Sequence, residues 1–526
     1  MKLCILAAGK GSRNSFSKIL PKGFLPVDNQ PGITHLIDSF SDIEEITIAI
    51  GSRGDIYRQF LPMIYPDVKI NFVNIKNYDG PGSGPGASLL ECEKYLNNEF
   101  VLIPTDAYIS ETILDDWNKN WMGVSNVDST RLYCLLETDE EDEITQIYDK
   151  DPDAPLNTLK NGFNGIAFIK DYNIFFDSLK QNKNLISGEI QVSNGFMGLI
   201  SNNGPGLKAK RIDTWHDFGS NEQYDNLIQK FDNQNLIKND EFTYIHKDKV
   251  YKYNIDEKNI KNKILRAESL KKYVPSINKK SNNFFTYDYV KGDLLNEVLN
   301  KDIFLQFLNF CQTDLFDVIH LNQSETLEFR NSCQLFYKDK TKKRLEDFWT
   351  KTKISDSKRK INGQTCKSVS DLLKKIDWDY LSEGIPYNFH GDLQPENIIY
   401  NNKKFILIDW RDTFGTSKKV GDIYYDLAKL DHALLVSGSI VRANLYNIQE
   451  SEDEVILHFK QENNLVEFQS IFNKFISENN YDLFKVKLLT SLIYLNIASL
   501  YEGKYSTFLY FLGQLKLNEL IFENKK

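Results

Sequence analysis

Cysteine is scarce and scattered in this chain. The six cysteines, Cys4, Cys92, Cys134, Cys311, Cys333 and Cys366, form no CxxC pair, which excludes a zinc knuckle or a disulfide framework as the organising device. Reduced thiols in a cytoplasmic setting are the expectation. Long hydrophobic runs are missing too: no stretch reaches the roughly eighteen apolar residues of a membrane span. The segment Phe472–Leu500 comes nearest, but Lys485 and Lys487 interrupt it, and a buried helix pair is expected there. The first apolar run flows straight into Gly9-Lys10-Gly11 and is too short for the core of a signal segment. Basic stripes are also missing. With 64 Lys and Arg against 73 Asp and Glu, the net charge is −9, so a phosphate backbone is repelled and nucleic acid is not an expected partner.

What is present is ordinary globular material. The chain is 41% hydrophobic, and 526 residues exceed what one core usually supports. Short apolar strands alternate with helical stretches up to about Lys230, as a doubly wound sheet requires. Expected strands are Leu3–Ala8, Glu45–Ile50, Lys69–Phe72, Phe100–Pro104, Arg131–Leu136 and Asn164–Ile169; expected helices are Thr34–Phe40, Ile56–Tyr65 and Ala87–Leu96. The Asn- and Asp-rich segment Phe231–Glu241 reads as a boundary, followed by short strands at Tyr244–Ile245, Val250–Tyr253 and Phe284–Tyr289. Beyond Leu294 nearly everything except Asn388–Trp410 shows helical spacing, with a long helical tail after Glu454. The expected organisation is a domain over 1–235 and a second over 240–526.

The most informative stretch is Leu6-Ala7-Ala8-Gly9-Lys10-Gly11-Ser12-Arg13, followed by Pro21-Lys22. Glycines at the end of a buried strand let backbone N–H groups approach a phosphate, and Arg13 and Lys22 add two cations suited to a triphosphate and its leaving pyrophosphate. LAAGxGxR followed by PK resembles the nucleotidyltransferases that join a nucleotide to a phosphorylated sugar or amino alcohol. That resemblance implies a Rossmann-like α/β domain in which Leu6, Ala8, Gly9, Gly11 and Gly84 line the nucleotide and Arg13 and Lys22 are catalytic. It further implies that Asp106, after Val101–Thr105, and Asp217, in Trp215-His216-Asp217-Phe218-Gly219, hold Mg2+. Gly165 and Glu189 resemble the acceptor-side elements. Lys150 stands where the family often has Glu-Lys-Pro, but here Asp151 separates it from Pro152.

The second half carries Phe389-His390-Gly391-Asp392-Leu393-Gln394-Pro395-Glu396-Asn397, with Ile408-Asp409-Trp410 twelve residues on. A carboxylate for an acceptor hydroxyl and two groups for magnesium are what phosphoryl transfer needs. HGDLxxxN followed by IDW resembles the aminoglycoside phosphotransferase and choline kinase family, which implies a two-lobed protein-kinase-like (α+β) domain. By that resemblance Asp392 orients or deprotonates the acceptor, and Asn397 and Asp409 ligate Mg2+. Lys252 pairs the ATP phosphates with Glu268 as its partner, and Tyr289 lies at the adenine hinge. Asp422 and Asp426 are read as buttresses of the catalytic loop.

Together these resemblances imply a bifunctional enzyme. The kinase-like half phosphorylates a small alcohol with ATP; the first half couples the phosphate to an NTP, releasing pyrophosphate and an NDP-sugar or CDP-alcohol for surface polysaccharide. The sugar version is favoured over a cytidylyltransferase and choline kinase pair. The alternative of another class is a nucleotidyltransferase carrying a non-catalytic kinase-like binding module. NTP, ATP and a small phosphorylated metabolite are the expected partners, and a homo-oligomer is compatible with the sequence.

Overall fold

Ile, Leu and Val dominate Lys2–Ala7, Glu45–Ile50 and Phe100–Ile103, and these strands are buried almost throughout, as central strands covered on both faces must be. In the computed structural model they form the middle of a nine-stranded sheet. Lys2–Ala7 lies parallel between Glu45–Ile50 and Phe100–Ile103, with Leu3 opposite Ile46 on one side and Val101 on the other. Lys69–Asn74 closes one edge in parallel, while Asn161–Ile169 joins Phe100–Ile103 antiparallel. The structure describes residues 1–15, 19–113, 117–127, 133–151, 154, 161–182, 184–186, 188–231, 240–451, 454–460 and 463–522.

The chain leaves the first strand toward one side of the sheet and returns on the other. The carboxyl ends of Lys2–Ala7 and Phe100–Ile103 therefore lie side by side at a topological switch point, where open α/β sheets place their ligands. The expected strands recur with small shifts, and the expected helices recur as Gly32–Asp38, Gly54–Ile64 and Pro85–Cys92, the last continued by a 3-10 turn. Residues 131–132 of one expected strand, and 232–239 of the expected boundary, lie outside the described residues.

Two compact units result: Met1–Glu257 with Lys279–Thr286, and Lys258–Asn278 with Tyr287–Lys526. The strands after the polar boundary, read as the start of the second domain, thus belong largely to the first unit. The reason is aromatic burial. Phe242, Tyr244, Tyr251, Tyr253 and Phe284 join the cluster of Phe24, Tyr57 and Phe60. Phe24 lies 5.0 Å from both Tyr57 and Phe60, and the buried Tyr244 hydroxyl donates to the Phe24 carbonyl at 2.7 Å.

The second unit is mostly helical, and its long helices Asn463–Glu478 and Leu483–Ala498 match the expected pair. One expectation needs correction. Arg359–Ile361, Gln364–Cys366, Tyr446–Glu450 and Glu454–Phe459 form a four-stranded sheet, so the helical tail begins at Asn463 and not after Glu454. Glu454–Phe459 alternates buried and less buried positions through Ile456, the period of a half-covered strand.

The aromatic cluster generates a stability prediction. Phe60→Ala should destabilise the first unit by about 3–5 kcal/mol, and Tyr244→Phe by about 1–2 kcal/mol through the carbonyl left unpaired. Urea unfolding of the full chain checks this; an unmoved transition in Phe60→Ala would show that this cluster does not hold the strands in place.

Candidate active sites

At the switch point the chain turns through Ala8 and exposed Gly9 into Gly11, whose φ of +69° suits glycine; the Asn14 amide closes the turn on the Gly11 carbonyl. Leu6 is half-buried in the preceding strand. Arg13 is exposed on this turn, close enough to Tyr133 for its charge to act on the phenol. Lys22 opens a 3-10 turn, Lys22–Phe24, and its Nζ lies 2.9 Å from Asp106 Oδ2. Asp217 arrives from far along the chain, because His216–Asp217 pairs antiparallel with Ala107–Tyr108 and the Phe218 amide donates to the Asp106 carbonyl.

Gly219 shows how tightly these groups converge. A Cβ there would lie 3.0 Å from Asp106 Oδ2, 3.0 Å from Asp217 Oδ1 and 3.4 Å from Lys22 Nζ. The two expected metal-holding carboxylates and the expected catalytic lysine therefore share one point. Burial, then the charge of Asp106, raise the Asp217 carboxyl above its ordinary range. Three donors oppose that shift: the Gly219 amide at 2.8 Å, Tyr133 Oη at 3.0 Å and Gln223 Nε2 at 2.9 Å. Gln223 also closes the capping box of helix Asn221–Ile228 with Ser220, so the helix start and the site share a side chain. Among the described residues no group of three or more His, Cys, Asp or Glu is placed to hold a metal. Magnesium nevertheless fits the pair, since it usually takes one or two carboxylates and draws the rest from water and substrate phosphates.

The acceptor-side residues fall on loops around this point. Gly165 (φ +90°) sits in the bulge of Asn161–Ile169, where a Cβ would lie 3.1 Å from Pro104, just before Asp106. Gly84 (φ +123°) backs onto Glu189, with 2.9 Å between its would-be Cβ and the Glu189 Cβ. The expected nucleotide loop and acceptor loop are thus in contact, tied by the Gly82 amide to the Gly188 carbonyl and the Ile190 amide to the Ser83 carbonyl. Lys150 is exposed.

In the second unit, Asp392 lies on a loop held from beneath by Asp426. That buried carboxylate accepts the amides of His390, Gly391 and Leu393 and the hydroxyl of Tyr387. Buried Asp422 caps helix Ile423–Leu435 and accepts from Tyr337, while burial raises its carboxyl to about 6. Fully buried Arg266 donates to the Phe389 and Lys419 carbonyls and lies over the Phe389 ring. Asp392 is engaged on both oxygens: Asn397 Nδ2 reaches Oδ2 at 3.0 Å, and Lys429 Nζ reaches Oδ1 at 2.6 Å. Asp409, two residues past the strand Lys404–Leu407, sits in the left-handed region (φ +57°).

Lys252, read as an ATP-phosphate ligand, is buried in the first unit and donates to Thr243 at 2.7 Å. Glu268 and Tyr289 are exposed in the second unit. Sequence reasoning missed Tyr133, Gln223 and Lys429. Only Gln223 left a signal, the S-x-x-Q capping box directly after Gly219.

Residues 3–128 match the family model described as a MobA-like NTP transferase domain. The UTP–glucose-1-phosphate uridylyltransferase AglF of Haloferax volcanii is 26% identical over 244 residues, which span 44% of this chain and 96% of that protein. Two solved structures are similar at lower identity. The CTP:phosphocholine cytidylyltransferase of Streptococcus pneumoniae is 19% identical, covering 45% of this chain and 98% of that one, with a TM-score of 0.35. The inositol-1-phosphate CTP transferase of T. maritima is 16% identical, with coverages of 45% and 98% and a TM-score of 0.35. On the family model and the Haloferax relative, the N-terminal part of the chain is a nucleotidyltransferase domain of mixed α/β fold.

Asp426→Ala should strip three backbone amides of their acceptor, at about 1–3 kcal/mol each. The expected readout is amide exchange at Gly391 and Leu393 accelerated roughly 100-fold or more, with the first unit unchanged. Unaltered protection at these amides would remove Asp426 as the buttress.

Proposed function

We propose that the first unit transfers a nucleotidyl group from an NTP to a small phosphorylated metabolite, and that the second unit makes that phosphate from ATP and an alcohol. A sugar 1-phosphate is favoured over phosphocholine, in keeping with the Haloferax relative's named substrate. The observation that carries the first activity is the convergence of Lys22, Asp106 and Asp217 on one point at the switch end of the sheet.

In this reading an oxygen of the acceptor phosphate attacks the α-phosphorus of the NTP, and pyrophosphate leaves. Asp106 and Asp217 would hold Mg2+, which supplies charge neutralisation between the α-phosphate and the attacking phosphate. Lys22 takes up negative charge as it shifts to the departing pyrophosphate, and Arg13 does so from the exposed side of the glycine turn. The amides from Ala8 to Gly11 cradle the phosphates, Gly84 lets the nucleotide approach the backbone, and Glu189 accepts hydrogen bonds from acceptor hydroxyls near Gly165.

In the second unit Asp392 orients the acceptor hydroxyl, and Asn397 and Asp409 would hold Mg2+ on the nucleotide. Glu268 and Tyr289 keep their proposed parts in holding ATP, whereas Lys252, buried in the first unit on Thr243, is withdrawn from that role. The rival reading, a non-catalytic binding module, is weakened by Asn397 resting on an intact Asp392.

A screen of NTPs against sugar 1-phosphates, phosphocholine and phosphoethanolamine, following pyrophosphate release, tests the reading. Asp106→Asn and Asp217→Asn should each lower that release by roughly 100-fold or more while ATP-dependent phosphorylation persists. Asp392→Asn should show the converse, and two near-normal carboxylate variants would sink the metal assignment. The pH profile gives a second check. The ionised Asp217 is required, its carboxyl is raised, and Tyr133 donates to the ionised form. Tyr133→Phe should therefore move the acid limb of nucleotidyl transfer to higher pH; an unmoved or lowered limb would contradict the role given to Asp217.

A further inference from the structure

Helix Lys340–Thr352 begins with two like charges one turn apart, Lys340 and Arg344, a spacing that destabilises a helix. Neither forms an ion pair among the described residues: Lys340 Nζ lies 3.7 Å from the Phe336 ring centroid, and Arg344 Nη1 donates to the Asn496 carbonyl at 3.1 Å. Two more cations come from elsewhere in the second unit. Arg411 lies 5.2 Å from the same Phe336 ring, its amide donating to the His390 carbonyl and its Nε to Gly391 at 3.4 Å. Lys429 is 7% exposed on helix Ile423–Leu435, one turn after Tyr425, whose ring lies 5.8 Å from Lys340 Nζ.

Lys429 thus sits on Oδ1 of Asp392 and Asn397 on Oδ2, while Lys340 and Arg411 lie close enough for the Asp392 charge to act on them and Arg344 lies close enough to act on Lys340. Asp412 acts on Arg411 and Asp347 on Arg344. Asp426 is saturated by backbone amides, and burial with Lys429 holds His432 neutral, down to about 3. Burial and repulsion from Arg411, Arg344 and Lys429 push the Lys340 ammonium well below its usual range. Lys340 and Arg344, one turn apart and with no ion pair among the described residues, are the two cations that no structural pairing accounts for, which marks a binding site in preference to a structural network.

We propose that this cluster is an anion-binding site in which Lys340, Arg344, Arg411 and Lys429 receive an acceptor alcohol already bearing a phosphate or carboxylate. The proposal rests on reading the second unit as a phosphotransferase. It also excludes a quaternary or primary ammonium acceptor, which four cations would repel. The anion seats among the cations and its hydroxyl reaches Asp392 from the Oδ1 side. The hydroxyl oxygen bonds to the γ-phosphorus of ATP as the bond from that phosphorus to the β,γ-bridging oxygen breaks. The bridging oxygen leaves on ADP with the electron pair, and the hydroxyl proton passes to Asp392 and then to solvent.

The test uses the full chain with ATP and a matched acceptor series: glucose, glucose 6-phosphate, glucuronate and choline, read by ADP release. At least one anionic member should exceed glucose in kcat/KM by roughly 50-fold, with choline inactive. Which anion leads distinguishes phosphate from carboxylate. Lys340→Met and Arg344→Gln should each raise the acceptor KM about tenfold or more with the ATP KM within about twofold, and Lys340→Arg should restore most of the loss. Preference for glucose or choline overturns the proposal, and so does a rise confined to the ATP KM. If nothing is phosphorylated, calorimetric titration with glucose 6-phosphate and glucuronate decides separately. Saturable binding lost in Lys340→Met upholds the site while the kinase reading fails; absence of binding overturns the site.

Discussion

Two carboxylates pressed toward one point, Asp106 and Asp217, are the constraint on which the first unit is organised. Burial, and then the like charge of Asp106, raise the Asp217 carboxyl. The fold answers with Lys22 on one carboxylate and three donors on the other. A backbone pairing of His216–Asp217 with Ala107–Tyr108 prevents the two from drifting apart. Gly219 completes the arrangement, because any side chain there would intrude on all three charged groups.

The second unit solves a different problem with the same chemistry. Asp426 is a carboxylate committed wholly to structure, saturated by amides that shape the loop beneath Asp392. Asp392 is held instead by two side chains, the Lys429 ammonium on Oδ1 and the Asn397 amide on Oδ2. One aspartate is committed to backbone amides and the other to side chains, so the loop's shape does not depend on the partners of Asp392.

Legibility followed the range of the interaction. Central strands such as Glu45–Ile50 were readable because unbroken burial writes itself as an unbroken apolar run. Asp106 and Asp217 were readable from their motifs, while their meeting depends on a bridge between segments about 110 residues apart in sequence, which no local pattern records. Tyr133 carried no signal. The sheet from Arg359 to Phe459 escaped because its strands are short and separated by helices. The cation cluster was invisible for a related reason: Lys340, Arg344, Arg411 and Lys429 read singly as surface charges in a lysine-rich chain.

The aromatic residues after the polar boundary change what that boundary means. A linker between independent cores needs few groups from one side buried in the other. Here Tyr244 and Phe284 are buried with Phe24, two residues from Lys22, so the first unit's core is incomplete at residue 235. The chain then leaves that unit at Lys258, returns for Lys279–Thr286 and leaves again. Within the excursion, Arg266 anchors the Phe389 carbonyl beside the His390 loop. One continuous segment therefore supports the lysine turn of the first unit through Tyr244 and the Asp392 loop of the second through Arg266. Cutting at the polar stretch would remove part of the first unit's support for Lys22.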